Sequence, residues 1–140
     1  MADNCKNQPY LMLMKTSKTI QDRIKMELQT YKLNITEFSV LEVLYLQGIQ
    51  TIQQIVNSIL ISSGSMTYVI DKLEQRGLLK RLACPNDRRA IHVSLTDDGT
   101  ELMEKIMPEH HKLVEHIFEL FTNDDEDMFI KLLNKVSKRV

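Results

Sequence analysis

Within ten residues the chain places Lys80, Arg81, Arg88 and Arg89, and shortly before them it carries Ser63, Ser65, Thr67, Tyr68 and Lys72. Hydroxyls, a phenol, an ammonium and guanidinium groups are the side chains that bind phosphate oxygens and base edges. Asp87 stands two residues before Arg89. A free carboxylate there would repel phosphates, so Asp87 is expected to pair with Arg89 and aim its guanidinium, giving up some charge to gain direction. The net charge of −1 hides an asymmetry that agrees with this: residues 62–96 sum to +3, whereas residues 97–140 sum to −5. A chain segregated in this way can turn a positive face to nucleic acid while acidic elements sit elsewhere.

Other chemistries have weaker footing. No glycine-rich phosphate loop, no GxSxG motif and no His paired with a nucleophile inside one segment is present, so no enzyme, no catalytic residue and no cofactor is expected. Cys84 lies close in sequence to four cations that could lower its thiol pKa and make it a redox or electrophile sensor, and the alternative is an inert small residue. Cys5 lies near the N-terminus, far from Cys84 and in no metal-ligand spacing, so a reduced, cytoplasmic setting is expected. Glu109, His110, His111, Glu115 and His116 form no recognised ligand set, and polar positions on a helix face are expected there, with no metal. Tyr10, Met14, Tyr45, His110 and His111 could line a mostly apolar pocket for a small aromatic molecule. The eight methionines suit such a pocket, but they also fill core gaps.

These residues need elements to hold them. The chain has 140 residues, 43% hydrophobic and 26% charged, enough for one ordinary folded domain without disulfides or a metal. The polar start gives no secretory signal, and no segment is long and apolar enough to be a membrane anchor. From Tyr10 to Tyr31 apolar residues recur at helical spacing, which predicts a long amphipathic helix. A second helix is expected with Thr36 as its cap and an acidic first turn at Glu37, ending at Gly48. Thr51 and Gln54 read as a capping box for a short helix burying Ile52, Ile55, Val56 and Ile59. Met66, Val69, Ile70 and Leu73 follow i, i+3, i+4, i+7 behind a cap at Ser62 or Ser63, and Gly77 ends that helix. Their inward packing would turn Ser63, Ser65, Thr67, Tyr68 and Lys72 outward.

Residues 79–83 and 90–95 read as two short strands, the second with Ile91, Val93 and Leu95 on one face, joined by a basic tip over residues 84–89. Thr96, Asp97 and Asp98 cap a long helix whose stripe reaches Phe121, with Pro108 expected to bend it. Thr122–Asp125 caps a last helix carrying Met128, Ile130, Leu132, Leu133 and Val136. Helix, turn, helix and basic hairpin make a mainly α fold with a small β-hairpin wing: a winged helix-turn-helix flanked by long terminal helices. The second of the short helices is the reader, and an arginine of the wing could enter a minor groove.

Three runs together resemble the MarR family: Leu73-Glu-Gln-Arg-Gly-Leu-Leu-Lys-Arg81, Asp87-Arg-Arg89 and Val93-Ser-Leu-Thr-Asp-Asp-Gly99. The likeness spans nearly the whole chain. It implies one domain over 1–140, with a DNA-binding lobe over about 36–96 and dimerisation helices over about 8–32 and 97–140. It also implies a homodimeric transcriptional regulator, usually a repressor, with an effector pocket between the dimer region and the reading heads. Carried over residue by residue, the wing arginine is Arg89, its partner acid Asp87, and the reading contacts Ser65, Thr67, Tyr68 and Lys72. The partner would be double-stranded DNA with a pseudo-palindromic operator, its half-sites one helical turn apart. Residues 38–89, especially 63–75 and 83–89, are similar to the subgroup that represses quinone and hydroquinone detoxification genes, which implies a stress-response role and a small aromatic or quinone effector. Peroxide-sensing relatives carry their thiol where Met12 stands here, so that mechanism is not expected. The alternative function is a winged-helix module whose basic tip meets an acidic protein and not a particular DNA sequence.

Overall fold

The computed structural model describes residues 7–59, 66–84 and 87–140, with the side chains of residues 84 and 87–89 outside that description. Helix α1 spans Gln8–Gln29, α2 Ile35–Gln47, β1 Gln50–Thr51, α3 Ile52–Ser58 and α4 Met66–Gln75. Strands β2 (Leu79–Cys84) and β3 (Asp87–Leu95) follow, then α5 (Asp97–Ile117) and α6 (Asn123–Ser137). The chain divides into two compact units, Met1–Lys105 and Ile106–Val140.

In the first unit, α2 is the central element. Phe38, Val40, Leu41, Val43 and Leu44 are all buried, and a helix apolar on every side must lie inside. Its cap differs from the expectation. Asn34, not Thr36, opens the helix: Asn34 Oδ1 accepts the Glu37 N–H at 2.7 Å, and Glu37 Oε1 accepts the Asn34 N–H at 3.0 Å. The reciprocal pair satisfies two backbone donors at once, which Thr36 could not do from inside the first turn. Thr51 and Gln54 form the expected box on α3, with Gln54 N–H to Thr51 Oγ1 at 3.1 Å and Thr51 N–H to Gln54 Oε1 at 2.8 Å. Only Ile55 of that helix is fully enclosed, and Val56 is exposed. Ile52 and Ile59 are only half-buried, since a helix of seven residues makes about two turns and turns few side chains fully inward.

The sheet has order β1-β3-β2 and is antiparallel throughout. Leu79 pairs with Leu95 and Ala83 with Ile91, then the register shifts between Ala83 and Cys84 so that Cys84 faces Asp87. The strands therefore run further than expected, taking in Cys84 and residues 87–89 from the supposed tip. The two-residue β1, where Gln50 pairs with Val93, had no alternating pattern to announce it. Val93 is fully buried, whereas Ile91 stays exposed toward the hairpin end.

One backbone turn organises the junction after α4. Gly77 takes φ +74°, a conformation that L side chains resist. Thr96 Oγ1 donates to the Gly77 carbonyl at 2.6 Å and accepts the Gly99 N–H at 3.0 Å, and the Thr96 N–H donates to the Leu78 carbonyl at 3.1 Å. Thr96 is thus both the cap of α5, as expected, and the pin that holds that cap against the end of α4. Gly99 is where the two backbones meet, since a Cβ there would stand 2.0 Å from the Leu78 carbonyl oxygen.

In the second unit, Ile106, Met107 and Leu113 are buried. Helix α5 includes Pro108 and stops at Ile117, so Phe118 and Phe121 lie beyond it and not on a continuous stripe. Those two rings and Phe129 of α6 form an aromatic cluster with centroids 5.3, 5.5 and 6.1 Å apart. Thr122 caps α6 as expected, with Asp125 N–H to Thr122 Oγ1 at 3.1 Å. The apolar residues of α6 are all exposed, Met128, Ile130, Leu132 and Val136 among them.

Replacing Gly99 by alanine should cost about 2 kcal/mol or more, because rigid backbone and not a flexible side chain must yield. Urea unfolding of Gly99→Ala against wild type measures this. An equal midpoint would show that the two backbones do not meet this closely.

Candidate nucleic-acid interface

Helix α4 divides as its spacing predicts. Val69, Ile70 and Leu73 are buried, while Thr67, Tyr68 and Lys72 face solvent. Tyr68 is 64% exposed, a large aromatic surface for a single residue outside a core. The Lys72 Nζ sits 5.9 Å from the Tyr68 ring centroid, one turn along the same face. Such a contact contributes about 0.5–1 kcal/mol at an exposed site, enough to bias two long side chains toward a shared geometry. The face then offers a hydroxyl, a phenol and an ammonium ion in one row.

Of the other expected contacts, Ser63 and Ser65 lie outside the described residues, as does the Ser62 or Ser63 cap. Arg88 and Arg89 have a strand backbone on β3, but their side chains and that of Asp87 are outside the description, and so is the expected Asp87–Arg89 pair. Lys80 is exposed on β2.

Arg81 behaves differently from its basic neighbours. Its Nη1 donates to Glu74 Oε1 at 2.7 Å, its backbone N–H to Glu74 Oε2 at 3.0 Å, and its Nη2 to Asp71 Oδ1. The hydrogen bond to Asp71 acts most strongly to raise the Arg81 pKa above its ordinary value, burial opposes it, and the Glu74 hydrogen bond and the two charges add to the rise. Arg81 is therefore a permanent cation committed to two acids, and it joins the reading helix to the wing strand. Among the four basic residues that the sequence places on the hairpin, Arg81 is thus tied to the helix before it. The signal was present in the sequence: Asp71 and Glu74 share a helix face at i, i+3, and an arginine follows just past the glycine turn.

The remaining candidates fall on both units. Tyr10, Met14 and Tyr45 are exposed on the first unit, at 62%, 53% and 36%. On the second unit, His110 is half-buried and His111 exposed. Cys5 lies outside the described residues, and so does the side chain of Cys84. Among the described residues no three His, Cys, Asp or Glu side chains are grouped to hold a metal ion. No helix among the described residues is long and apolar enough to cross a membrane.

The sequence pattern of the MarR family matches residues 33–91. The HTH-type transcriptional regulator MhqR of Bacillus subtilis (strain 168) is 38% identical over 127 residues, covering 91% of this chain and 88% of that protein. Two solved structures share the fold along most of both chains. A variant of MarR from Escherichia coli, complexed with operator DNA, is 25% identical with a TM-score of 0.77, covering 93% of this chain and 96% of its own. BpsR of Bordetella bronchiseptica, solved to explain regulation of its DNA binding by 6-hydroxynicotinic acid, is 27% identical with a TM-score of 0.77 and 90% coverage on both sides.

Removing the Arg81 fork should lower stability by about 1 kcal/mol, a modest value because its partners are half-exposed and screened by solvent. Arg81→Lys should recover less than half of the loss, since an ammonium cannot span two carboxylates as a guanidinium does. Urea unfolding of Arg81→Ala and Arg81→Lys checks both, and equal stability of all three proteins would count against the joint.

Proposed function

From the premise that the chain belongs to the MarR family of winged helix-turn-helix transcriptional regulators, we propose that it is a cytoplasmic, homodimeric repressor reading a pseudo-palindromic operator. The observation that carries this reading is the division of α4, whose buried side is apolar and whose open side presents Thr67, Tyr68 and Lys72. Thr67, Tyr68 and Lys72, together with Ser63 and Ser65, are assigned to the major groove. Arg88 and Arg89 of the wing are assigned to the backbone and minor groove, with Asp87 directing Arg89.

The dimer is supported by surfaces that a lone chain leaves wet. On α1 the run from Tyr10 to Met14 is exposed, and on α6 so are Met128, Leu132 and Val136. Between α5 and α6 the second unit has an open groove of about 630 Å³, lined by Phe118, Phe129, Ile130 and Leu133 with carboxylates at its rim. Contiguous apolar surface of this kind on a charged chain marks an interaction face. Residues 36–96 are assigned to the DNA-binding lobe, and about 8–32 and 97–140 to dimerisation.

Release from DNA is assigned to a small aromatic or electrophilic effector such as a quinone. The similarity to MhqR and the regulation of BpsR by a small aromatic acid support that class of ligand. Noncovalent capture is the favoured mode, and covalent attack at Cys84 is the variant of it that an electrophile would allow.

Wild-type protein should enrich one sequence from a random duplex pool and bind it more tightly than a scrambled duplex of equal length. Arg89→Ala should weaken that complex by roughly 1–3 kcal/mol if the arginine reads a groove, and Lys72→Ala should lower the salt slope by about 1 if it meets a phosphate. Equal binding of both duplexes at every salt concentration would move the function to contacts with acidic proteins. Light scattering at micromolar concentration should give a dimer for wild type and a monomer for Leu132→Asp. A wild-type monomer would refute the two-fold reading.

A further inference from the structure

At the end of α4, Arg76 reaches back 44 residues along the chain, its Nη1 donating to the Lys32 carbonyl at 2.8 Å. Its Nη2 donates to the Tyr31 carbonyl at 3.1 Å. These carbonyls belong to the turn that closes α1. There Lys32 takes φ 55°, the Lys32 N–H donates to the Gln29 carbonyl at 3.0 Å, and the Leu33 N–H returns to the Leu28 carbonyl at 3.2 Å. This paired arrangement satisfies the carbonyls of Leu28 and Gln29 and leaves those of Tyr31 and Lys32 to accept from Arg76. A helix C-terminus also carries partial negative charge, so a cation belongs there on both counts.

Nη1 of Arg76 also stands 3.9 Å from Glu37 Oε2. That oxygen is buried and has no hydrogen-bond partner among the described residues, because Glu37 uses Oε1 to close the cap of α2. One guanidinium therefore joins the exit of α1, the entrance of α2 and the exit of α4. The neighbouring backbone of Gly77 and Leu78 is held by Thr96.

We propose that Arg76 is a positioning residue for DNA recognition, fixing the reading helix to the end of α1 so that the direction of α1 sets the direction of α4. The inference rests on the DNA-reading assignment above. Each terminal nitrogen of Arg76 donates to a backbone carbonyl, so the role assigned to it is to hold the helix and not to meet a phosphate. A lysine in its place keeps a positive charge near Glu37 but cannot bridge two carbonyls.

The test compares wild type with Arg76→Lys, at a temperature where thermal melts show both fully folded, on two readouts. The first is binding to the duplex that wild type enriches from a random pool and to a scrambled duplex, over a salt series. The second is backbone hydrogen exchange of the DNA-free proteins. Arg76→Lys should bind the enriched duplex about tenfold more weakly, leave the scrambled duplex and the salt slope unchanged, and exchange faster at Leu33 and at residues 76–78 but not across the sheet. A merely structural role would weaken both duplexes alike or act only through the melting temperature. Enriched-duplex affinity within about twofold of wild type, or a shallower salt slope, would overturn the proposal. If wild type enriches no duplex, the DNA-reading assignment fails separately, and the exchange data alone judge the joint: local acceleration upholds it and unchanged rates refute it.

Discussion

The turn of Gly77 and Leu78 is the constraint on which the first unit depends. At that point α4 must end, β2 must begin, and the start of α5 must fit against the same peptide. Gly77 supplies the positive φ, Gly99 the missing Cβ, and Thr96 the hydrogen bonds that close the gap. Backbone meeting backbone tolerates little adjustment, because neither side has a rotamer to change. The direction in which the reading helix points is therefore tied to the helix that follows the wing.

From that turn outward, side chains join the reading helix to the second strand. Arg81 bridges Asp71 and Glu74 of α4 from the second strand, and its charge is spent inside the protein. Specificity in DNA binding needs such rigidity, since phosphate contacts set register only if base-reading groups hold a fixed relation to them. Lys72 and Lys80 stand outside this network and are exposed.

The helices, the wing and the outward row on α4 were legible in the sequence because each rests on local rules. Apolar spacing marked Val69, Ile70 and Leu73, glycine marked the end of α4, and Thr51 and Thr122 marked two starts. Thr36 was misread because two capping patterns overlap there, and only the reciprocal fit of Asn34 and Glu37 decides between them. The exposure of Val56 and the short β1 depend on distant partners, and no periodicity within a segment encodes those. The apolar face of α6 read correctly as apolar, but spacing cannot say whether such a face meets its own chain or another.

Varying the distance between half-sites tests most directly the claim that one dimer presents two reading heads at a fixed separation. The enriched duplex and a version with about five base pairs inserted at its centre, half a helical turn, would be compared for affinity and for the number of chains bound. A dimer with fixed heads should lose most of its affinity for the inserted duplex, because one half-site has rotated to the opposite side of the DNA. Equal affinity for both would contradict the claim and would mean that the heads recognise their half-sites independently.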